Sequence, residues 1–139
     1  MELINRTELK VRFSEVDPLG IVWHGNYVKY FEDGREAFGM EFGLDYLSMY
    51  KAGLITPIVK LDVNYKKDLK YGESAIVETI YVPTPAAKLQ FSYKIYKESD
   101  NTLITTGSTT QVFLNESRQL LLVTPPLIEQ WKQKWNIDK

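Results

Sequence analysis

One segment constrains the fold of this chain more than any other. Between about Asn26 and Phe38, the residues Tyr27, Tyr30, Phe31, Gly34 and Phe38 recur at helical spacing, while Lys29, Glu32, Asp33, Arg35 and Glu36 occupy the opposite side. A helix with a single apolar stripe has to bury that stripe, and the remainder of the chain offers strands for it to lie on rather than a second long helix. Gly34 falls on the stripe itself. Glycine in a helix interior costs about 1 kcal/mol relative to alanine, so this position needs a packing reason, and close approach to a sheet is the simplest. Gly39 is taken as the end of the helix.

Around this segment the period changes from 3.6 to two. Thr7 to Phe13 places Leu9, Val11 and Phe13 on one side and Glu8, Lys10 and Arg12 on the other, the pattern of a half-buried strand. Ser14 to Gly25, with proline and glycines, is a loop. After the long helix a shorter helical piece is expected from Leu44 to Lys51, before Gly53. Val59, Leu61, Val63 and Tyr65 then alternate with Lys60, Asp62 and Asn64. Ser74 to Val82 follows the turn Tyr71-Gly72-Glu73, Leu89, Phe91, Tyr93 and Ile95 form a third alternating run, and Thr102 to Phe113 follows the turn Ser99-Asp100-Asn101. Thr124 as N-cap and Pro125 as first residue open a terminal helix through Trp131 and Trp135. One strand, one long helix and four strands in series predict an α+β fold, the helix laid against one face of an antiparallel five-stranded sheet. At 139 residues the chain fits one domain, 1–139, since two would each fall near the size at which a core is hard to sustain.

Composition excludes several function classes. Seventeen basic and eighteen acidic residues give a net charge of −1, too little field to hold a nucleic-acid backbone or an anionic membrane, so any phosphate has to be met by local lysines. The chain contains no cysteine, which removes disulfides, thiolate metal sites and a cysteine nucleophile, and fits a reducing cytoplasm. Met1 to Lys10 lacks the apolar run of a signal peptide, and no stretch reaches the roughly 20 apolar residues of a membrane span. The expectation is a cytoplasmic protein without membrane insertion.

The chemistry concentrates in the loop. Asp17-Pro18-Leu19-Gly20 has the residue order of a type I turn, with aspartate first, proline second and glycine fourth. The same carboxylate stands just ahead of a helix whose first turn, Tyr27-Val28-Lys29, holds no acid. Such a helix start presents N–H groups and partial positive charge to an incoming carbonyl oxygen. A carboxylate beside fixed donors is what thioester hydrolysis requires: donors where negative charge develops on oxygen, and a base or nucleophile at the carbonyl carbon. The turn and the chemical role are compatible.

The whole run Asp17-Pro18-Leu19-Gly20-Ile21-Val22-Trp23-His24-Gly25-Asn26-Tyr27, with Phe31-Glu32 and Arg35-Glu36 on the helix and Val63-Asn64-Tyr65 and Gly72-Glu73 farther on, resembles the 4-hydroxybenzoyl-CoA thioesterase family, a hotdog-fold group. The resemblance implies a sheet wrapped around the long central helix, and a homodimer or homotetramer with sites at the subunit interface. It implies hydrolysis of an acyl-CoA thioester, with Asp17 as nucleophile or general base and the backbone near His24 and Gly25 polarising the carbonyl. Coenzyme A is then part of the substrate, and no metal or other cofactor is implied.

Other residues keep two readings. His24, the sole histidine, has no companion ligands in sequence; its ring either orients substrate or water or is structural. Gly25 either lets substrate approach the backbone or merely starts the helix, and Asn26 is a natural N-cap. Tyr27 lies on the apolar stripe, and the family motif makes it a substrate contact as well. Val59, Lys60 and Leu61 lie on the strand that in hotdog dimers runs near the partner's site; Lys60 either meets the coenzyme's pyrophosphate or faces water. Lys66, Lys67 and Lys70 suit a solvated turn, and Glu32 a solvated or interface face. An acyl-acyl-carrier-protein thioesterase and a non-catalytic acyl-thioester-binding module remain the alternatives.

Overall fold

The computed structural model describes residues 2–137. Five strands, β1 (Ile4–Lys10), β2 (Ile58–Tyr65), β3 (Ser74–Val82), β4 (Lys88–Lys97) and β5 (Leu103–Val112), form one antiparallel sheet in the order β1-β3-β4-β5-β2. Three helices complete the chain: α1 (Asn26–Phe42), α2 (Tyr46–Lys51) and α3 (Pro126–Lys134). The predicted α+β architecture is the one observed. The helix α1 lies mainly across β1, β3 and β4, and its Phe31 ring reaches Gly107 of β5.

The period-two runs explain how the sheet meets the helix. Thr79, Tyr93, Gly107 and Val63 stand opposite one another across β3, β4, β5 and β2, so they form one row on one face. Phe31 of α1 stacks on Tyr93 with ring centroids 4.5 Å apart, and a Cβ at Gly107 would run into the Phe31 ring. The glycine thus leaves room for an aromatic side chain from the helix. Gly34 has the packing reason that its position demanded. A Cβ there would collide with Thr79 Oγ1 and come within 2.7 Å of Val77 Cγ1, so the helix approaches β3 nearly backbone to side chain.

Element ends depart from the sequence expectation for local reasons. The helix α1 runs past Gly39 to Phe42 and stops at Gly43, whose φ of 89° carries the left-handed cap. Gly39 lies inside the last turn because the returning chain packs on it, a Cβ meeting the Leu44 carbonyl at 2.7 Å. Strand β1 covers Ile4–Lys10 rather than Thr7–Phe13. Its register with β3 pairs Ile4 with Ile80 and Lys10 with Ser74, and Phe13 opens a single 3-10 turn, 76% exposed, with its ring against Tyr71. The short helix starts at Tyr46, capped by Asp45, which accepts the Ser48 N–H at 3.1 Å. In the terminal helix Pro125 is the N-cap and Pro126 the first residue, one position later than Thr124 and Pro125. The indole N–H groups of Trp131 and Trp135 both donate to the Phe42 carbonyl, at 2.7 and 2.9 Å, fastening α3 to the end of α1.

Because Val77 and Thr79 are β-branched and fixed in the sheet, they yield little to added bulk at Gly34. Gly34→Ala, despite its better helix propensity, is expected to lose about 1–3 kcal/mol of stability, as overpacked cores do. Denaturant unfolding measures this, and a variant as stable as the native chain would show that the contact is not tight.

Candidate active site

The loop between β1 and α1 is held by its own backbone. Val16 and Val22 form an isolated antiparallel bridge, the Asp17 N–H donates to the Ile21 carbonyl at 2.8 Å, and the Gly20 N–H donates to the Asp17 carbonyl at 2.9 Å. This is the turn expected of Asp17-Pro18-Leu19-Gly20, with Gly20 at a φ of 79°. One carboxylate oxygen of Asp17, Oδ1, accepts the Leu19 N–H at 2.9 Å, while Oδ2 takes no hydrogen bond from the described residues. The carboxylate is therefore oriented through one oxygen and open at the other.

Two residues upstream is a group that the sequence did not single out. Glu15 is 3% exposed, and its carboxylate accepts the Arg12 N–H at 2.8 Å and the Tyr30 hydroxyl at 3.0 Å on one oxygen, and the Lys29 ammonium at 2.8 Å on the other. Its backbone carbonyl accepts both the Trp23 N–H at 2.9 Å and the Asn26 side-chain amide at 2.8 Å. One residue thus joins the strand end, the loop and the first turn of α1. Burial pushes its carboxyl pKa up, but the Lys29, Arg12 and Tyr30 hydrogen bonds and the Lys29 charge outweigh burial and hold it below the ordinary 4.5. A buried acid ahead of a loop, matched by Lys29 and Tyr30 one residue apart on the helix, was the available signal; only the fold brings the three together.

At the helix start, Gly25 is the N-cap and Asn26 the first helical residue, because the Asn26 side chain is spent on the Glu15 carbonyl instead of capping. The first turn carries no acid, as expected, and the N–H groups of His24 and Gly25 donate to no protein acceptor among the described residues. Gly25 has a φ of −71°, so its need is steric rather than conformational: a Cβ there would strike the Trp23 indole. The His24 ring is exposed, 4.8 Å from the Trp23 ring and edge-on to Tyr65 at 6.4 Å. Its carbonyl accepts the Tyr65 hydroxyl at 2.8 Å.

Comparison with known proteins bears on this geometry. The profile of the thioesterase-like superfamily matches residues 11–135. The chain belongs to that superfamily. YneP of Bacillus subtilis, which carries the name of an acyl-CoA thioesterase, is 39% identical over 93 residues, 67% of each chain. The DHNA-CoA thioesterase of Staphylococcus aureus is 31% identical in structural alignment, with a TM-score of 0.85 covering 96% of this chain and 91% of that one. The 1,4-dihydroxy-2-naphthoyl-CoA thioesterase Slr0204 of Synechocystis, at 15% identity and a TM-score of 0.84 over 96% and 98% of the two chains, shows the shared fold. The protein is a hotdog-fold thioesterase, an enzyme that hydrolyses thioesters.

In this thioesterase the Glu15 carbonyl gathers Trp23 and Asn26, so the loop that carries Asp17 closes at its base against the helix start that holds His24 and Gly25. Tyr27 is placed otherwise. It is 2% exposed, its hydroxyl accepts the Leu69 N–H at 3.3 Å, and burial pushes its pKa up to about 12, so it forms a wall of the core beneath the site. Val59, Lys60 and Leu61 lie on the outer strand β2, away from the loop of their own chain. The pairing of β2 with β5 is irregular between Ile58 and Lys60, and on this outer strand Val59 is 60% and Leu61 41% exposed. Lys60 is exposed, 3.9 Å from Asp62. A cavity of about 420 Å³ that does not include Asp17, His24 or Gly25 opens along α1 from Glu32 to Phe38 and is walled by Met49, Leu89 and Phe91. Seven residues of helix at 1.5 Å each put its near end about 10 Å from Gly25. Among the described residues no cluster of three or more His, Cys, Asp or Glu is placed to hold a metal, and no helix is long and apolar enough to cross a membrane.

Glu15 makes a pH-dependent contribution of known sign. Its folded pKa lies below the unfolded value, so its stabilisation is complete above about pH 4.5 and is lost as pH falls through the folded value. Glu15→Gln is expected to cost about 1–3 kcal/mol at neutral pH. The gap to the native protein should narrow below pH 4.5; unfolding curves with a constant gap from pH 7 to pH 3 would count against the charge as its source.

Proposed function

We propose that this thioesterase hydrolyses acyl-coenzyme A, with Asp17 as the working carboxylate and the helix start at His24 and Gly25 polarising the thioester carbonyl. The observation that carries the reading is the state of Asp17: one oxygen tied to the Leu19 N–H, the other unbonded to the described residues, in the loop that leads into a helix start whose leading N–H groups have no protein acceptor among the described residues. The open oxygen either attacks the carbonyl carbon, expelling the coenzyme thiolate and leaving a mixed anhydride for water to cleave, or removes a proton from the water that attacks. Both routes load negative charge on the carbonyl oxygen, where the helix-start donors meet it. The names of YneP and of the Staphylococcus aureus enzyme favour a coenzyme A thioester. With no cysteine to oxidise, the chain suits the cytoplasm, where we place it.

We further propose a homodimer through β2, itself able to pair into a homotetramer. Leu61, Val63 and Tyr65 stand opposite Thr109, Gly107 and Thr105 on the face that α1 covers elsewhere, yet Leu61 and Tyr65 are 41% and 51% exposed. An outer strand with open backbone groups and an apolar face suits a second copy. In that arrangement Val59, Lys60 and Leu61 reach the partner's site, and Lys60 offers its charge to the pyrophosphate.

Two measurements test these readings. Asp17→Asn should keep the fold and lower thiol release from acyl-coenzyme A at least about a hundredfold; a variant of native activity would overturn the assignment. Leu61→Lys should convert the assembly to monomer in sedimentation, whereas an unchanged mass would exclude the β2 interface.

A further inference from the structure

At the end of the outer strand β2, the Tyr65 hydroxyl donates to the His24 carbonyl at the helix start, at 2.8 Å. That carbonyl belongs to the same peptide unit as the Gly25 N–H. The peptide is trans, since no cis bond occurs among the described residues. In a planar trans peptide the C=O and N–H point in opposite directions, so a donor that fixes one end also aims the other. We infer that Tyr65 is a positioning residue of the thioesterase site: by holding the His24 carbonyl it orients the His24–Gly25 peptide so that the Gly25 N–H faces the thioester oxygen from the side opposite Tyr65. This rests on the proposed role of the helix start.

Three features of the surroundings support the assignment. The Gly25 N–H donates to no protein acceptor among the described residues, so nothing else on the protein holds that end of the peptide. The N-cap glycine is free to rotate its peptide in a way that other residues are not, which makes an external restraint useful. Tyr65 in turn is the last residue of β2, and its ring is steadied edge-on by Tyr27 at 5.6 Å. The bond also acts electronically, because hydrogen bonds in series polarise one another: a hydroxyl donating to the carbonyl makes the N–H of that peptide a stronger donor as charge grows on the substrate oxygen. Tyr65 itself touches no reacting atom.

Tyr65→Phe removes the hydroxyl and keeps the ring. The substrate is whichever of benzoyl-, hexanoyl- and palmitoyl-coenzyme A the native protein hydrolyses fastest. The expected result is a fall in kcat of roughly tenfold, less than the two to three orders lost when an oxyanion donor itself is removed, with KM within about twofold, in keeping with an interaction made mainly in the transition state. Melting temperature and assembly mass should stay native. In an Asp17→Asn background, which holds the substrate uncleaved, the infrared stretch of the bound thioester carbonyl should move toward its free value when Tyr65→Phe is added. Native kcat in Tyr65→Phe, a loss accompanied by a lower melting temperature, or an unmoved carbonyl stretch beside an inactive Asp17→Asn protein overturns this inference and leaves Asp17 standing. Full activity in Asp17→Asn overturns both.

Discussion

The structure depends first on how closely α1 can approach β3. Gly34 lets the helix settle against Val77 and Thr79, and Gly107 lets Phe31 stack on Tyr93. With side chains at these two points, the helix would stand off the sheet, and its axis would no longer bring its first turn level with the end of β1. The position of the helix start is therefore a packing result, fixed one to three turns away from the residues that use it.

Given that placement, the loop has little freedom. Glu15 binds Lys29 and Tyr30 on α1 through its side chain and Trp23 and Asn26 through its carbonyl, so the stretch from Val16 to Val22 is held at both ends. A buried carboxylate is costly unless its hydrogen bonds are satisfied, and here both oxygens are engaged. The same bonds that stabilise the charge fix the distance between the Asp17 turn and the helix. Asp17 differs in kind. Among the described residues its carboxylate has one partner, the Leu19 N–H in its own turn, and no cation paired to it. A structural acid and the proposed working acid stand two residues apart, distinguished by how many of their lone pairs the protein uses.

Much of this was legible in the sequence because it is local. The apolar stripe of α1, the misfit of Gly34 on it, the alternating runs of β3, β4 and β5 and the Asp17 turn each rest on residues a few positions apart. Boundaries moved where distant packing intervened: Gly39 accommodates the returning Leu44 instead of ending the helix, and Phe13 turns outward because β1 aligns with β3 from Ile4. Asn26, a good N-cap by type, is diverted to the Glu15 carbonyl eleven residues away in sequence. Glu15 escaped notice, and Tyr65 was read only as a strand residue and part of the family resemblance, because their partners are set by tertiary contact; nothing in the pattern around Tyr65 marks a bond to a carbonyl 41 residues earlier.

The two halves of the proposed site are thus secured by different means, and the difference has a mechanical reason. A carboxylate that must reach a carbon or a water needs some rotational freedom about its side chain, so a single local bond in a rigid turn serves it well. A backbone donor has no such freedom to exploit: its direction is that of its peptide, and a peptide at a helix N-cap is bonded on one side only. Orientation there has to come from outside the helix, and β2, the strand whose apolar face extends beyond α1, supplies the Tyr65 hydroxyl that contacts the opposite end of that peptide. A strand suited to meeting a second copy would then carry the restraint on the donor, which ties the alignment of the site to the integrity of the outer strand and, through it, to assembly.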